Sequence, residues 1–151
     1  MTKRDAPARA YALLKEISIL NQLATAEFNR TLPDGLHVSH FTILEHLANR
    51  NGGQTPQDLA RVFQMSKQNM TNSVAQLQRR GFVDVAPNPQ DGRSKIVSLT
   101  PSGHRFREKA LGQIAPLLGE ISEHQAFDTL GRALPAMHAL RVFLDDRRTS
   151  K

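Results

Sequence analysis

The 151-residue sequence has no cysteine, no tryptophan and only one tyrosine. The lack of cysteine excludes structural disulfides, cysteine-based zinc sites and thiol redox sensing. No apolar run is long enough to span a membrane, and the N-terminal residues contain no apolar signal core. We therefore expect a cytoplasmic protein with no membrane partner. The length suggests one domain, or one domain with an extended helical arm, and the 39% of residues that are hydrophobic are enough to form a core.

The sequence also lacks the motifs of common enzymes and metal sites. It has no Gly-x-Ser-x-Gly elbow and no glycine-rich loop that would cradle a phosphate. His40, Glu45 and His104 are the most plausible metal ligands, but no two histidines are spaced four residues apart on a helix, and a metal site is not favoured. We expect a protein that is not an enzyme and has no catalytic residues, no metal and no cofactor.

Positive charge is concentrated in one segment of the chain. The formal net charge is +6 and the isoelectric point is about 10.3. Residues 61–109 contain nine basic and three acidic side chains, an excess equal to the net charge of the whole chain, while the remainder is balanced. A solvated basic surface would explain this, but confinement to one segment favours a nucleic-acid partner.

The segment from Thr55 to Gly81 has the pattern of a helix-turn-helix. Thr55 and Pro56 are typical of a helix start, with threonine as the N-cap and proline at the first helical position. Ser66 should cap a second helix, which ends at Gly81 because glycine readily adopts the left-handed closing conformation. The second helix of this motif enters the major groove of DNA. The side chains expected to face the core are Leu59, Val62 and Phe63 in the first helix and Met70, Val74 and Leu77 in the second.

The opposite side of the second helix carries polar side chains that can read bases. An amide side chain can form a pair of hydrogen bonds with adenine, a threonine can contact the thymine methyl group, and a lysine can bind guanine or phosphate. Thr55 and Gln57 open the preceding helix, where free N–H groups suit a backbone phosphate. The alternative is an ordinary helical pair with a polar outer face. The predicted recognition residues are Ser66, Lys67, Gln68, Asn69, Thr71 and Asn72.

A hairpin is expected after this helix. The pattern predicts antiparallel strands at Phe82–Ala86 and Lys95–Leu99, joined by a long polar loop, Pro87–Ser94, that should protrude. Arg93 and Lys95 can reach the minor groove or its flanking phosphates. Asp91 should hold the loop by pairing with Arg93 or with loop N–H groups, or be a simple Asp-Gly turn residue. The predicted contact residues of this wing are Asp91, Arg93, Ser94 and Lys95.

Longer helices are expected on both sides of this lobe. The first, from Ala8 to about Arg30, has an apolar face wide enough to be buried on two sides. A second helix fits Ser39–Asn49. Thr100 and Pro101 should start a helix behind the hairpin.

The C-terminal third predicts two more features. Pro116 should disturb the helix that starts at Pro101. The run Ser122-Glu123-His124-Gln125 matches a capping box for a last helix that continues to about Asp146 and is kinked at Pro135. The predicted fold is therefore mainly α with a small β-hairpin wing: a winged helix-turn-helix with a helical dimerisation region.

The joined spacing of the recognition helix, wing and following helix start resembles the signature of the MarR family of winged-helix regulators. The spacing agrees over residues 36–106 and the helical layout over the whole chain. One position departs from the family pattern, since an arginine common just after the recognition helix is replaced here by Val85, which puts a backbone contact there in doubt. The residues that carry the resemblance are Thr71, Leu77, Gly81, Asp91, Arg93, Leu99, Thr100 and Gly103.

This resemblance implies a homodimer that binds double-stranded DNA. Residues 36–100 would form the DNA-binding lobe, and residues 8–30 and 101–148 the dimerisation region. Such dimers bind pseudo-palindromic operators and usually repress nearby genes, and many release DNA when a small aromatic or anionic effector binds between the lobes. An alternative is a winged-helix module that docks another macromolecule without sequence-specific DNA binding. A small hydrolase is a third hypothesis, but no nucleophile and base are assembled to support it.

Overall fold

The computed structural model describes residues 5–33 and 35–149, and in these ranges it contains six helices and one two-stranded antiparallel sheet. The predicted class, mainly α with a β-hairpin wing, is confirmed. Residues 1–4, part of the segment expected to lack a signal core, lie outside the described residues. The elements are α1 (Ala6–Thr31), α2 (Val38–Ala48), α3 (Pro56–Val62), α4 (Lys67–Arg79), β1 (Val83–Asn88), β2 (Asp91–Leu99), α5 (Pro101–Glu123) and α6 (Phe127–Thr149).

The chain divides into two compact units, Met1–Gln113 and Ile114–Lys151. The first unit holds the hairpin and helices α1 to α4 and therefore all of the residues predicted to contact DNA. None of the helices in the described ranges combines the length and apolar character needed to cross a bilayer.

A small apolar core joins the helix-turn-helix to the hairpin. Each element contributes side chains on one face, at helical spacing in α2 and α4 and at alternate positions in the strands. Burial of each large side chain stabilises the fold by about 1.5–3 kcal/mol. Helix α4 and the β1–β2 hairpin are therefore packed on one shared core. The largest of the fully buried side chains are Ile43, Leu44, Leu59, Met70, Leu77, Val83 and Val97.

The helix-turn-helix begins and ends much as predicted. Thr55 caps α3 by accepting a hydrogen bond from the N–H of Asp58, at 3.1 Å, and Ser66 caps α4 by accepting one from Asn69, also at 3.1 Å. Gly81 ends α4 with a φ of +73°. One predicted core residue is wrong: Val62, at the last position of α3, is 41% exposed.

The hairpin differs from the prediction in its turn. Strands β1 and β2 extend to Asn88 and Asp91, so only Pro89 and Gln90 join them and the expected long loop is absent. Pro87, which was expected to begin the loop, lies within β1, an edge strand where proline is tolerated. The register shifts between Pro87 and Asn88, which leaves residues 92–94 as an irregular segment of β2.

A third chain segment is bonded to the root of the hairpin. Gln54 exchanges two backbone hydrogen bonds with Val97, its N–H donating at 2.9 Å and its carbonyl accepting at 2.8 Å. Gly53 is required beside it, since a Cβ there would lie 2.4 Å from the carbonyl oxygen of Val97. The start of α3 is therefore bonded directly to the base of the wing.

The C-terminal helices also differ from the prediction. Ser122 does not cap a new helix: it lies inside α5, and its hydroxyl donates to the carbonyl of Gly119 at 2.7 Å. The last helix starts later, at Phe127, after a turn in which His124 accepts from the N–H of Ala126. Pro116 lies inside α5 and Pro135 inside α6, and the disturbance at the first and the kink at the second stay predictions.

Candidate nucleic-acid interface

Helix α4 separates an apolar face from a polar face. Met70, Val74 and Leu77 are buried, while the predicted recognition residues Ser66 to Asn69, Thr71 and Asn72 are all exposed. Nine residues, or about two and a half turns, separate Gln68 from Leu77, so the two lie on opposite sides of the helix. The polar side is therefore held outward by the core on the other side.

Hydrogen bonds within the helix orient several of these side chains. Thr71 donates its hydroxyl proton to the carbonyl of Lys67 at 2.8 Å, which turns the hydroxyl toward the helix and leaves the methyl group for outside contact. Gln68 donates to Asn72 at 3.1 Å, one turn along the same face. This second bond was not foreseen, although the spacing of four residues between two amides is the signal that would have indicated it.

The turn between α3 and α4 is strained at one residue. Gln64 has a φ of +54°, and it is the only non-glycine residue with positive φ in the described part of the chain. The conformation costs about 1–2 kcal/mol for a residue with a Cβ. Its neighbour Met65 donates to the carbonyl of Ala60 at 2.9 Å, which closes the turn and fixes the angle at which α4 leaves α3.

The wing tip is held by its own polar side chains. Asp91 accepts a hydrogen bond from the N–H of Arg93 at 3.0 Å, as expected for a residue that shapes the loop. Ser94 accepts from Asn88 at 2.8 Å and donates to the carbonyl of Asp91 at 3.2 Å. Ser94 therefore supports the tip from within, while the side chains of Arg93 and Lys95 extend outward from it.

The charges in this unit differ in how far they are available to a ligand. Arg93 and Lys95 are exposed and form no ion pair with the described residues. Lys67 on α4 is likewise exposed and forms no ion pair with them. Arg61, in contrast, forms an ion pair with Asp58, with 3.4 Å between Nη1 and Oδ1. Arg107 is partly buried, and its Nε donates to the carboxylate of Glu45 at 2.6 Å, which ties α5 to α2. Thus part of the basic segment is structural, while Lys67 on α4 and Arg93 and Lys95 on the wing are among its charges that have no ion-pair partner within the described residues.

The start of α3 is less open than expected. The hydroxyl of Thr55 bonds to Asp58 both as acceptor and as donor, the latter at 2.9 Å. The carboxylate of Asp58 is therefore beside the helix start, where it competes with a phosphate for the positive end of the dipole. Gln57 is exposed and remains available.

Two of the three side chains considered as metal ligands, Glu45 and His40, have other partners, and the third, His104, is exposed on α5. Glu45 is engaged by Arg107, whose guanidinium lowers the pKa of that carboxylate. His40 is buried at the start of α2, where its Nδ1 accepts from the N–H of His37 at 3.1 Å and its ring bonds to Gln76 of α4. Burial is the main cause that lowers the pKa of His40, so the neutral ring is favoured. His40 therefore links α2 to the recognition helix.

Comparison with known proteins gives consistent matches. A sequence model of the MarR family matches residues 34–94. The transcriptional activatory protein BadR of Rhodopseudomonas palustris is 30% identical over 120 residues, covering 75% of this chain and 68% of BadR. An HTH-type transcriptional regulator of Mycobacterium tuberculosis is 42% identical over 66 residues, which cover 44% of this chain and 46% of that protein.

Solved structures agree over most of the chain. The transcriptional regulator BldR of Sulfolobus solfataricus superposes with a TM-score of 0.76 at 23% identity, covering 92% of this chain and 99% of BldR. CouR of Rhodococcus jostii, solved with p-coumaroyl-CoA bound, gives a TM-score of 0.71 at 21% identity and covers 82% of this chain and 87% of CouR. At these identities the structures establish a shared fold.

Proposed function

This chain belongs to the MarR family of winged-helix transcriptional regulators, and from that premise we propose that it is a homodimer that binds a pseudo-palindromic operator and represses transcription. The observation that carries the proposal is the exposed polar face of α4 beside a wing with two unpaired basic side chains. In this proposal residues 36–100 form the DNA-binding lobe, and residues 8–30 and 101–148 form the dimerisation region.

The two sets of contacts have different roles. Gln68, Asn69, Thr71 and Asn72 read base edges in the major groove and determine which sequence is preferred. Arg93 and Lys95 bind the backbone, with Lys67 and Gln57 as further polar contacts, and they supply affinity without sequence information. The roles of Ser66, Asp91 and Ser94 are to hold the contact residues in place, and Thr55 stabilises the start of α3.

The dimer is supported by apolar surface on the outer helices. Helix α1 has 26 residues and none of them is buried, although Leu13, Leu20 and Leu23 are apolar and at least half exposed. In α6, Leu130 and Leu134 are likewise 53% and 62% exposed. Surfaces of this kind on a protein without a membrane segment in its described residues are typical of a protein interface. Two-fold symmetry would place the recognition helices roughly 34 Å apart, one turn of DNA.

Sequence-selective binding tests this function against the docking alternative. The purified chain is mixed with a random DNA pool, and the bound sequences are determined after several rounds of selection. An enriched palindrome, together with a sedimenting species of about twice 16.8 kDa, is the expected result. Salt-sensitive binding with no enriched sequence would favour a docking module, and a stable monomer would refute the dimer.

Activation is a second candidate for the direction of regulation, because the relative BadR is described as an activatory protein. A reporter gene under the selected operator distinguishes the two: repression predicts higher expression when the protein is absent, and activation predicts lower expression.

We also propose a small aromatic or anionic effector, in view of the p-coumaroyl-CoA bound to CouR. Release of operator DNA by aromatic acids and their thioesters, measured at fixed ionic strength, tests that part.

A further inference from the structure

We propose that Gln68 and Asn72 act as one reading unit that recognises a single adenine in each half-site. The proposal rests on the proposed function of α4 as the recognition helix and specifies which base it reads. It requires that two side chains, which could each contact a separate base, share one base pair instead.

The geometry of the pair supports joint recognition. The two residues are one turn apart on α4, both are exposed, and the side-chain amide of Gln68 donates to that of Asn72 at 3.1 Å. They lie on the side of the helix opposite the buried Leu77, which is the side that projects farthest from the core. The bond restricts both side chains before DNA arrives, which lowers the entropy lost on binding.

The bond also determines what the pair can present. An amide has one carbonyl oxygen and two N–H groups, so once Gln68 donates to Asn72, the Gln68 oxygen and the Asn72 amino group remain outward. Exchanging the positions of oxygen and nitrogen in both amides keeps the bond and again leaves one acceptor and one donor facing outward. Either orientation therefore presents one acceptor and one donor, with the two residues exchanging these roles.

Adenine is the base that matches this pattern. In the major groove adenine offers one acceptor, N7, beside one donor, the N6 amino group. Guanine offers two acceptors, thymine an acceptor and a methyl group, and cytosine a single donor, so each leaves at least one member of the pair unmatched. The discrimination expected for one matched bidentate contact is about 10-fold.

Thr71 is less suited to this role, because its hydroxyl is committed to the carbonyl of Lys67. Gln78, near the end of α4, is exposed and forms no side-chain hydrogen bond within the described ranges, which makes it a suitable control.

The experiment starts from the operator selected by the wild-type chain. Each A·T pair of one half-site is replaced in turn, and affinities are measured for the wild type, Gln68→Ala, Asn72→Ala, the double variant and Gln78→Ala. We expect one A·T pair at which replacement weakens the wild type and Gln78→Ala about 10-fold. Replacement of the same pair should change binding by less than about 2-fold in both single variants and in the double variant, which should resemble either single one.

Three results would overturn the joint reading. The first is that Gln68→Ala and Asn72→Ala lose discrimination at different base pairs. The second is that Asn72→Ala keeps the preference for adenine, which would assign the contact to Gln68 alone. The third is that losses in the double variant equal the product of those in the single variants. If the wild type selects a palindrome but one of these results is found, only the pairing fails; if it selects no sequence, the proposed function fails with it.

Discussion

Replacing Arg93 and Lys95 with alanine should make DNA binding less sensitive to salt. Both side chains are exposed at the wing tip and have no ion-pair partner among the described residues, so they are available to phosphates. A homodimer has two wings, and the double variant therefore removes four positive charges from the complex. With a slope of about 0.9 per phosphate contact, the dependence of log K on log salt should become shallower by about 3.6.

The corresponding change in affinity is large enough to measure. Between 50 and 200 mM salt, the wild type should lose about 150-fold more affinity than the variant. The assay is fluorescence anisotropy on the selected operator and on an unrelated duplex of equal length. The ratio of the two affinities should stay nearly constant, because backbone contacts position the protein but do not read sequence.

A matched control separates contact from overall charge. Arg105 and Lys109 are exposed on α5, so Arg105→Ala with Lys109→Ala removes the same charge from the same basic segment. The control should leave the slope nearly unchanged while remaining dimeric by sedimentation. An equal change of slope in both variants, or a change below about 1 in the wing variant, would refute the assignment of the wing to the backbone.

Three further predictions concern stability, measured by urea denaturation. Gln64→Gly should stabilise the fold by about 0.5–1 kcal/mol, because glycine relieves the positive φ at a smaller entropic cost. Glu45→Gln should destabilise the fold by about 1 kcal/mol at pH 7 through loss of the ion pair with Arg107. Because the pKa of Glu45 in the folded protein is lowered below its ordinary 4.5, the stability difference between wild type and variant should shrink as the pH falls below 4.5. For His40, whose folded pKa is lowered below 6.5, stability should fall as the pH falls from about 7.5 through 6.5 toward the folded pKa, and His40→Gln should flatten that dependence.

Each of these has a contrary outcome. A loss of stability in Gln64→Gly would mean that the bond from its side chain to the carbonyl of Arg61, at 3.1 Å, outweighs the strain. An effect of Glu45→Gln that does not depend on pH would assign the cost to packing rather than to charge. If the stability of His40→Gln depends on pH as that of the wild type does, a group other than His40 causes the dependence.

Local chemistry accounts for the elements that were predicted correctly from the sequence. The caps at Thr55 and Ser66 and the closing Gly81 each act on residues a few positions away. The local sequence therefore determines where these helices begin and end. The core face of α4 follows from helical periodicity in the same way.

The errors come from patterns whose meaning depends on distant packing. Pro87 breaks a central strand but is accepted in β1, because that strand is paired on one side only. Ser122 fits a capping box in the sequence, yet α5 continues past it and its hydroxyl bonds backward to Gly119. A local motif cannot show whether the preceding helix has already ended.

The unforeseen contacts join residues that are far apart in the sequence. Arg107 was counted as part of a nucleic-acid footprint, but its partner Glu45 lies 62 positions away and no spacing rule connects them. The bond between His40 and Gln76 is of the same kind. The sequence therefore predicts which face is polar, but not which of its charges are already neutralised.

The bridge between Gln54 and Val97 limits how far the two ends of the proposed DNA-contacting face can move apart. It couples the start of α3 to the base of the wing through two backbone hydrogen bonds, with Gly53 allowing the close approach. If the proposed face binds DNA with this spacing held constant, the DNA must adjust its shape to the protein. Base steps that widen or bend easily would be favoured even where no side chain touches them, and the flexibility of the operator would then contribute to selectivity.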